Sequence, residues 1–221
     1  MKITKSVQSL IEEINDDHFS SNPNTPIRID AFDLDDDLKI ELISKKFKDI
    51  MDILGLDLTD DSLKDTPNRV AKMYVKEIFS GLNPANKPKI ALFENKYKYE
   101  EMVLEKNITF YSNCEHHFVP IIGKAHVAYI SNGTVIGLSK LNRVVEYFAK
   151  RPQVQERLTM QIAAELKKIL NTEDVAVVID AKHLCVSMRG VKDESSATVT
   201  ATYSGKFKNE DVKKEFLSYL K

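Results

Sequence analysis

The two cysteines of this chain stand far apart, and histidines flank both of them. Cys114, His116 and His117 lie in Ser-Asn-Cys-Glu-His-His-Phe, and His183 and Cys185 lie in Lys-His-Leu-Cys-Val. Thiolate plus imidazole is a ligand set that suits zinc. The two segments read as halves of one metal site, so the fold must carry them to a common point.

Spacing narrows the local geometry. Cys114 and His117 are three apart, so one tight bend can aim both at a single ion, whereas a regular strand would send them to opposite faces. The segment is expected to bend. His183 and Cys185 are two apart and share a face if they lie on a strand. Two readings of the metal stand nearly level. A closed structural zinc would take two Cys and two His. Binding through Cys114, His117 and Cys185 alone leaves a fourth position for a water acidified to a pKa near ~7, with His116 and His183 free to move protons. A disulfide is disfavoured because no secretory signal is read. Inert buried thiols do not account for the adjacent histidines.

A chain of 221 residues can bury one sizeable core, with room for a small extra domain. Its 43% hydrophobic and 29% charged residues are those of a soluble globular protein. The 32 Lys and Arg nearly balance the 33 Asp and Glu, so no global basic field draws it to nucleic acid. The opening Met-Lys-Ile-Thr-Lys-Ser-Val-Gln-Ser-Leu-Ile-Glu-Glu carries acids too early for a signal peptide, and no apolar run is long enough to span a bilayer. A cytoplasmic enzyme that binds neither nucleic acid nor membrane is expected.

Val7, Leu10, Ile11 and Ile14 recur at helical spacing and predict a helix over 4–14. Residues 15–37, rich in Asp, Ser, Asn and Pro, read as a mobile acidic linker. A catalytic unit is expected over 38–221, with a helical part to about 92. Its first helix spans 38–54 with a broad apolar face. Its second starts at a Thr66-Pro67 cap and stops at Gly81. Segments 102–112, 124–131, 174–181 and 195–205 have the β-branched and aromatic content of strands. Helices over 139–150 and 152–170, split at Arg151-Pro152, lie between them, and one over 210–220 closes the chain. Helices followed by strand–strand–helix–helix–strand–strand indicate an α+β fold with an antiparallel sheet. Its two open edges point to self-association.

Between the Cys/His segments, Ser139 reads as an N-cap with Gly137 before it, and Lys140 and Arg143 follow near the helix start. Free N–H groups, the helix dipole and two cations make a plausible phosphate cradle, although an ordinary capped helix is the simpler reading of this segment alone. On a straight strand His183, Cys185, Ser187 and Arg189 share a face, with His183 and Arg189 up to ~20 Å apart. Gln155 and Glu156 fall in the first turn of a helix, where a carboxylate is favoured by the dipole. The same carboxylate can accept the paired N–H groups of guanine, which adenine lacks. Arg69, at the start of its helix, is a further candidate phosphate contact.

Together these residues resemble the GTP cyclohydrolase I family. The resemblance rests on Asp60-Asp61-Ser62-Leu63-Lys64-Asp65-Thr66-Pro67-Asn68-Arg69-Val70-Ala71-Lys72-Met73-Tyr74, Cys114-Glu115-His116-His117-Phe118 and Ile136-Gly137-Leu138-Ser139-Lys140. It continues in Arg151-Pro152-Gln153-Val154-Gln155-Glu156-Arg157-Leu158-Thr159, in His183-Leu184-Cys185 and in Met188-Arg189-Gly190. It runs from about residue 40 to the end of the chain, and residues 1–35 carry none of it.

The resemblance implies the tunnelling fold (T-fold): an antiparallel four-stranded sheet with two helices on one face, over about 93–221, preceded by N-terminal helices. It implies Zn2+ on Cys114, His117 and Cys185, with His116 and His183 transferring protons and Ser139 near the ribose. Glu156 would hold guanine, assisted by Gln155 and the backbone of Ile136 and Leu138, and Lys140, Arg143, Arg189 and Arg69 would bind the triphosphate. The implied activity opens the imidazole ring of GTP, releases C8 as formate and yields 7,8-dihydroneopterin triphosphate. The implied assembly is a homodecamer of two stacked pentamers with sites at subunit interfaces. Rival readings are a module with a closed zinc site, a zinc-free nitrile-reducing relative of the same fold, and a cyclohydrolase that stops at the formamide.

Overall fold

The computed structural model describes residues 23–221; the expected helix over 4–14 lies outside the described residues. Helix α1 (Asp36–Ile53) starts where Asp35 Oδ1 accepts the Leu38 N–H at 2.8 Å, with Asp36 and Asp37 favoured in the first turn by the dipole. These two acids, assigned to the linker by composition, are helical. The helix buries only Ile40 and Met51; Leu42, Ile50 and Leu54 of its apolar face are exposed.

Helix α2 (Thr66–Met73) is shorter than its pattern predicts. Asp65 holds the cap position without a side-chain bond, so Thr66 is the first helical residue and not the cap. The chain continues into a π-helical turn, Tyr74–Ile78, and a 3₁₀ turn, Ser80–Leu82. Gly81 is there for a close approach: its N–H donates to Lys150 O at 2.9 Å, and a Cβ would lie 2.0 Å from Tyr147 O.

The strands follow as β1 (Leu92–Glu94), β2 (Met102–Cys114), β3 (Pro120–Ile130) and β4 (Thr134–Ile136). Helix α3 (Leu138–Ala149), the short β5 (Pro152–Gln153) and helix α4 (Gln155–Leu170) come next. Then come β6 (Val175–His183), a single helical turn α5 (Leu184–Ser187), β7 (Thr198–Tyr203) and α6 (Glu210–Ser218). The main sheet has the order β5-β2-β3-β6-β7, and β1 pairs separately with β4. The four expected strands form its antiparallel body. A fifth was not read from the sequence. After Arg151 the chain does not re-enter a helix at 152; Pro152 and Gln153 run parallel beside Asn113 and Cys114, and α4 begins at Gln155.

The larger core joins alternating residues of β3 (Ile121, Ala125, Val127, Tyr129) and β6 (Val175, Val177, Ile179, Ala181) to the apolar stripes of α3 and α4. The opposite strand residues, Ala128, Ile130, Ala176 and Val178, pack with Phe207 and with Phe216 of α6. On β2 the alternation changes phase. Val103 packs with the larger core and Leu104 with the smaller, yet Ile108, Phe110 and Cys114 belong to the larger one. The cause is a bulge between Glu105 and Ile108, where Asn107 has φ 63°.

Two stability predictions follow from this packing. A Cβ on Gly123 would lie 2.5 Å from both Ala181 Cβ and Asp180 O in the neighbouring strand. Gly123→Ala should lower unfolding stability by about 2–3 kcal/mol in denaturant titration. Burial pushes His126 below its ordinary range, with Lys124 and Lys106 adding to the fall and the Asp180 charge opposing it. The unfolded chain takes up this proton first, so stability is present above pH ~6.5 and is lost as pH falls. The melting temperature should drop between pH of about 7.5 and 5.5, and His126→Gln should remove part of that drop.

Candidate metal centre

Strand β2 ends at Cys114, and the chain turns at once. The Phe118 N–H donates to Cys114 O at 2.8 Å, and Phe118 takes φ 53°. This is the expected bend, and it carries His117 back toward Cys114. From the other side, β6 brings His183 opposite Ile121 of β3. Cys185 does not continue the strand as expected. It sits on the α5 turn, which curls the chain over the end of the sheet. The sulfurs of Cys114 and Cys185 and a ring nitrogen of His117 all lie within 4.8 Å of one another. Among the described residues, no other group of three or more His, Cys, Asp or Glu side chains converges in this way.

The curl at α5 also overturns the extended strip from His183 to Arg189. Arg189 folds back onto the triad, with Nη1 2.8 Å from His117 Nε2. A guanidinium only donates, so Nε2 accepts and carries a lone pair. Burial pushes the Cys185 thiol above its ordinary pKa, and the adjacent Cys114 thiol pushes it further. A dication reverses that penalty by binding both thiolates.

His116 and His183 lie beside the triad and outside it. His116 Nδ1 is 3.7 Å from Cys114 Sγ, and its Nε2 is 3.8 Å from Glu115 Oε1. His183 Nε2 is 2.7 Å from Gln155 Oε1. Burial holds His183 below its ordinary range, and the nearby Glu156 carboxylate opposes that shift. Glu156 is exposed in the first turn of α4, while Gln155 before it is buried. The Gln155 carboxamide is engaged inside the protein, while its backbone N–H lies in the first turn, where no helical acceptor is available.

Sequence reasoning missed a supporting pair. Glu115, between the ligand residues, is clamped by both terminal nitrogens of Arg157, a guanidinium only 2% exposed. Both fall inside the quoted motifs, yet in sequence a Glu and an Arg 42 apart look like surface charges.

The other phosphate candidates are placed by different elements. Helix α3 is capped by Gly137, with no side-chain bond, so Ser139 is its second residue and not its cap. Lys140 and Arg143 form no ion pair among the described residues. Arg69 is exposed, 4.0 Å from Asp65. The Ile136 N–H meets the Tyr129 hydroxyl at 3.3 Å, placing this segment at the end of β3 opposite the metal triad. No described helix is long and apolar enough to cross a membrane.

Comparison with known proteins agrees with this picture. Residues 43–221 match the family GTP cyclohydrolase I. A Flavobacterium johnsoniae protein named GTP cyclohydrolase 1 is 66% identical over 214 residues, covering 97% of this chain and 96% of the relative. Proteins of the same name from Citrobacter koseri and Escherichia coli O1:K1 are each 55% identical over 194 residues, 87% of either chain. On this evidence the chain belongs to the GTP cyclohydrolase I family.

Proposed function

We propose that the chain is a zinc-dependent GTP cyclohydrolase I. It opens the imidazole ring of GTP, releases C8 as formate and rearranges the remainder to 7,8-dihydroneopterin triphosphate, the first step of tetrahydrofolate and pterin synthesis. The observation that carries this reading is the convergence of Cys114, His117 and Cys185 with two further histidines held beside them and outside the triad.

The donor set fits zinc. Bonds of ~2.3 Å to sulfur and ~2.0–2.1 Å to nitrogen give tetrahedral edges of roughly 3.5–4 Å, so a small closing shift of atoms already within 4.8 Å seats the ion. Bound there, zinc supplies a Lewis acid and lowers the pKa of a coordinated water toward neutrality. Arg189, which donates to His117 Nε2, would place a guanidinium beside the loaded site for the triphosphate.

His116 and His183 transfer protons to and from the purine ring nitrogens. Glu156 accepts the ring N–H and the amino group of guanine, assisted by backbone at Gln155, Ile136 and Leu138. Ser139 lies by the ribose, and Lys140, Arg143, Arg189 and Arg69 hold the phosphates. The fold is the tunnelling fold, with α3 and α4 on one face of the sheet.

The sheet's polarity supports the interface site and the homodecamer of two pentamers. The Ile136–Lys140 segment is at the Tyr129 end of β3 and the triad is at the Ile121 end, roughly 26 Å away along the strand. A second copy can bring its α3 start to the metal end of the first. The exposed apolar side of α1, the edge of β2 that precedes its pairing with β5, and the edge of β7 give surfaces for that contact.

Incubating zinc-loaded protein with GTP should yield formate and dihydroneopterin triphosphate together. A formamide product without formate would replace this activity with simple ring opening, and no turnover by a protein that holds zinc would favour a structural site. Cys114→Ala and Cys185→Ala should lose zinc and activity together. His116→Ala should keep zinc and lose turnover; a metal-free His116→Ala would overturn the ligand assignment. Glu156→Gln should lower kcat/KM for GTP about 10- to 100-fold and erase the preference for GTP over ITP, which lacks the amino group.

A further inference from the structure

We propose that the side chain of Gln155 is a positioning residue that fixes His183 in one tautomer and makes Nδ1 its proton-transfer atom. The inference rests on the proposed activity for its kinetic consequence, and on hydrogen-bond logic alone for its structural content.

A carboxamide has an end that donates and an end that accepts, and its surroundings here decide which is which. Gln155 Nε2 is 2.8 Å from Thr198 O, 3.1 Å from Ile179 O and 3.2 Å from Thr200 Oγ1. Backbone carbonyls only accept, so two of these partners require the nitrogen to face them. The hydroxyls are equally constrained. Thr159 Oγ1 donates to Gln155 O at 2.8 Å, which uses its one hydrogen. The 2.7 Å contact between Thr159 and Thr200 is then donated by Thr200, whose oxygen is left to accept from Gln155. Every donor in the ring joining α4, β6 and β7 points one way, and turning the amide over would break it in three places.

Oε1 is thus aimed at His183 Nε2, 2.7 Å away. An amide oxygen cannot donate, so the imidazole carries hydrogen on Nε2. The neutral ring has its lone pair on Nδ1, and any proton it accepts or gives passes through that atom. Among the described residues, no hydrogen bond engages Nδ1. This is the support a ligand-bearing or proton-transferring histidine commonly receives from its second nitrogen. Gln155 is only 2% exposed. It acts on the reaction through the ring it orients, whereas its neighbour Glu156 faces outward.

The test begins with the zinc-loaded wild-type protein, ring-15N-labelled at histidine, with the His183 signals assigned by their loss in His183→Asn. Solid-state spectra should show His183 protonated at Nε2 and bare at Nδ1; hydrogen on Nδ1 alone, or a mixture of tautomers, would overturn the proposal. Gln155→Met keeps the length and removes the acceptor. It should retain zinc, mix the tautomers of His183 and lower kcat about 10- to 100-fold with KM for GTP nearly unchanged. A raised KM with kcat preserved would instead make the Gln155 side chain a base contact and sink the inference. Thr200→Val removes one link of the ring and leaves both carbonyl anchors, so it should produce a smaller kcat loss in the same direction; a larger loss than Gln155→Met would contradict the scheme. If wild-type protein fails to turn over GTP, the activity falls, while the tautomer measurement still judges the role of Gln155.

Discussion

The antiparallel register of β3 against both of its neighbours determines where the chemistry can occur. Asn113 pairs with Pro120, and Ile121 pairs with His183, so the end of β2 and the end of β6 flank the start of β3. Cysteines separated in sequence by four strands and two helices meet because β2 and β6 end where β3 begins. That register is locked by burial. A slip of one residue would turn Ile121, Ala125, Val127 and Tyr129 away from α3 and α4. Each large side chain among them is worth about 1.5–3 kcal/mol buried, so no alternative pairing competes. The bulge at Asn107 belongs to the same device. Without its phase change, the pleat that places Leu104 on the α6 side would place Cys114 there too, on the wrong face to meet Cys185.

Onto this frame the first turn of α4 adds orientation. Successive residues on a helix point about 100° apart, so three in a row address three different neighbours. Gln155 reaches down to β6 and β7, Glu156 faces out, and Arg157 reaches across to Glu115. The last contact is costly to break. A guanidinium buried to this degree depends on its carboxylate, and removing Glu115 would take away a partner that binds both of its terminal nitrogens. The ion pair holds the His116–His117 turn in place relative to α4, and so relative to Gln155 and Glu156.

Much of this was legible in the sequence where a residue type has few uses. Two cysteines with flanking histidines, a carboxylate in a first turn and a bend between Cys114 and His117 are local statements, and local geometry carries them. The alternating strands and amphipathic helices were legible for the same reason. What escaped depends on partners distant in sequence. Pro152 and Gln153 become a strand only because Asn113 and Cys114 lie beside them. Gly81 reads as a helix stop until the carbonyl of Lys150 arrives above it. The straight strip from His183 to Arg189 failed because α5 curls the chain into a helical turn, which two-residue spacing cannot distinguish from a strand. Arg157 and Gln155 look like surface residues by type and are among the most buried polar groups in the chain.

The choice between a closed and an open metal site, level on the sequence pattern, turns on what the spare histidines are doing. A closed site needs a fourth protein ligand, and His116 and His183 are the histidines that lie beside the triad. Recruiting His183 through Nε2 would require breaking a 2.7 Å bond to an amide whose nitrogen three strand groups hold in place, so Nδ1 is the atom left open. His116 keeps contacts to Cys114 and to the clamped Glu115, and it stays outside the group of atoms within 4.8 Å. The fold therefore uses its buried polar network to orient His183 through Nε2, while neither His183 nor His116 belongs to the converging group. Under the proposed activity, which must deliver water and protons to one carbon and its neighbouring nitrogens, that arrangement leaves both imidazoles for proton transfer.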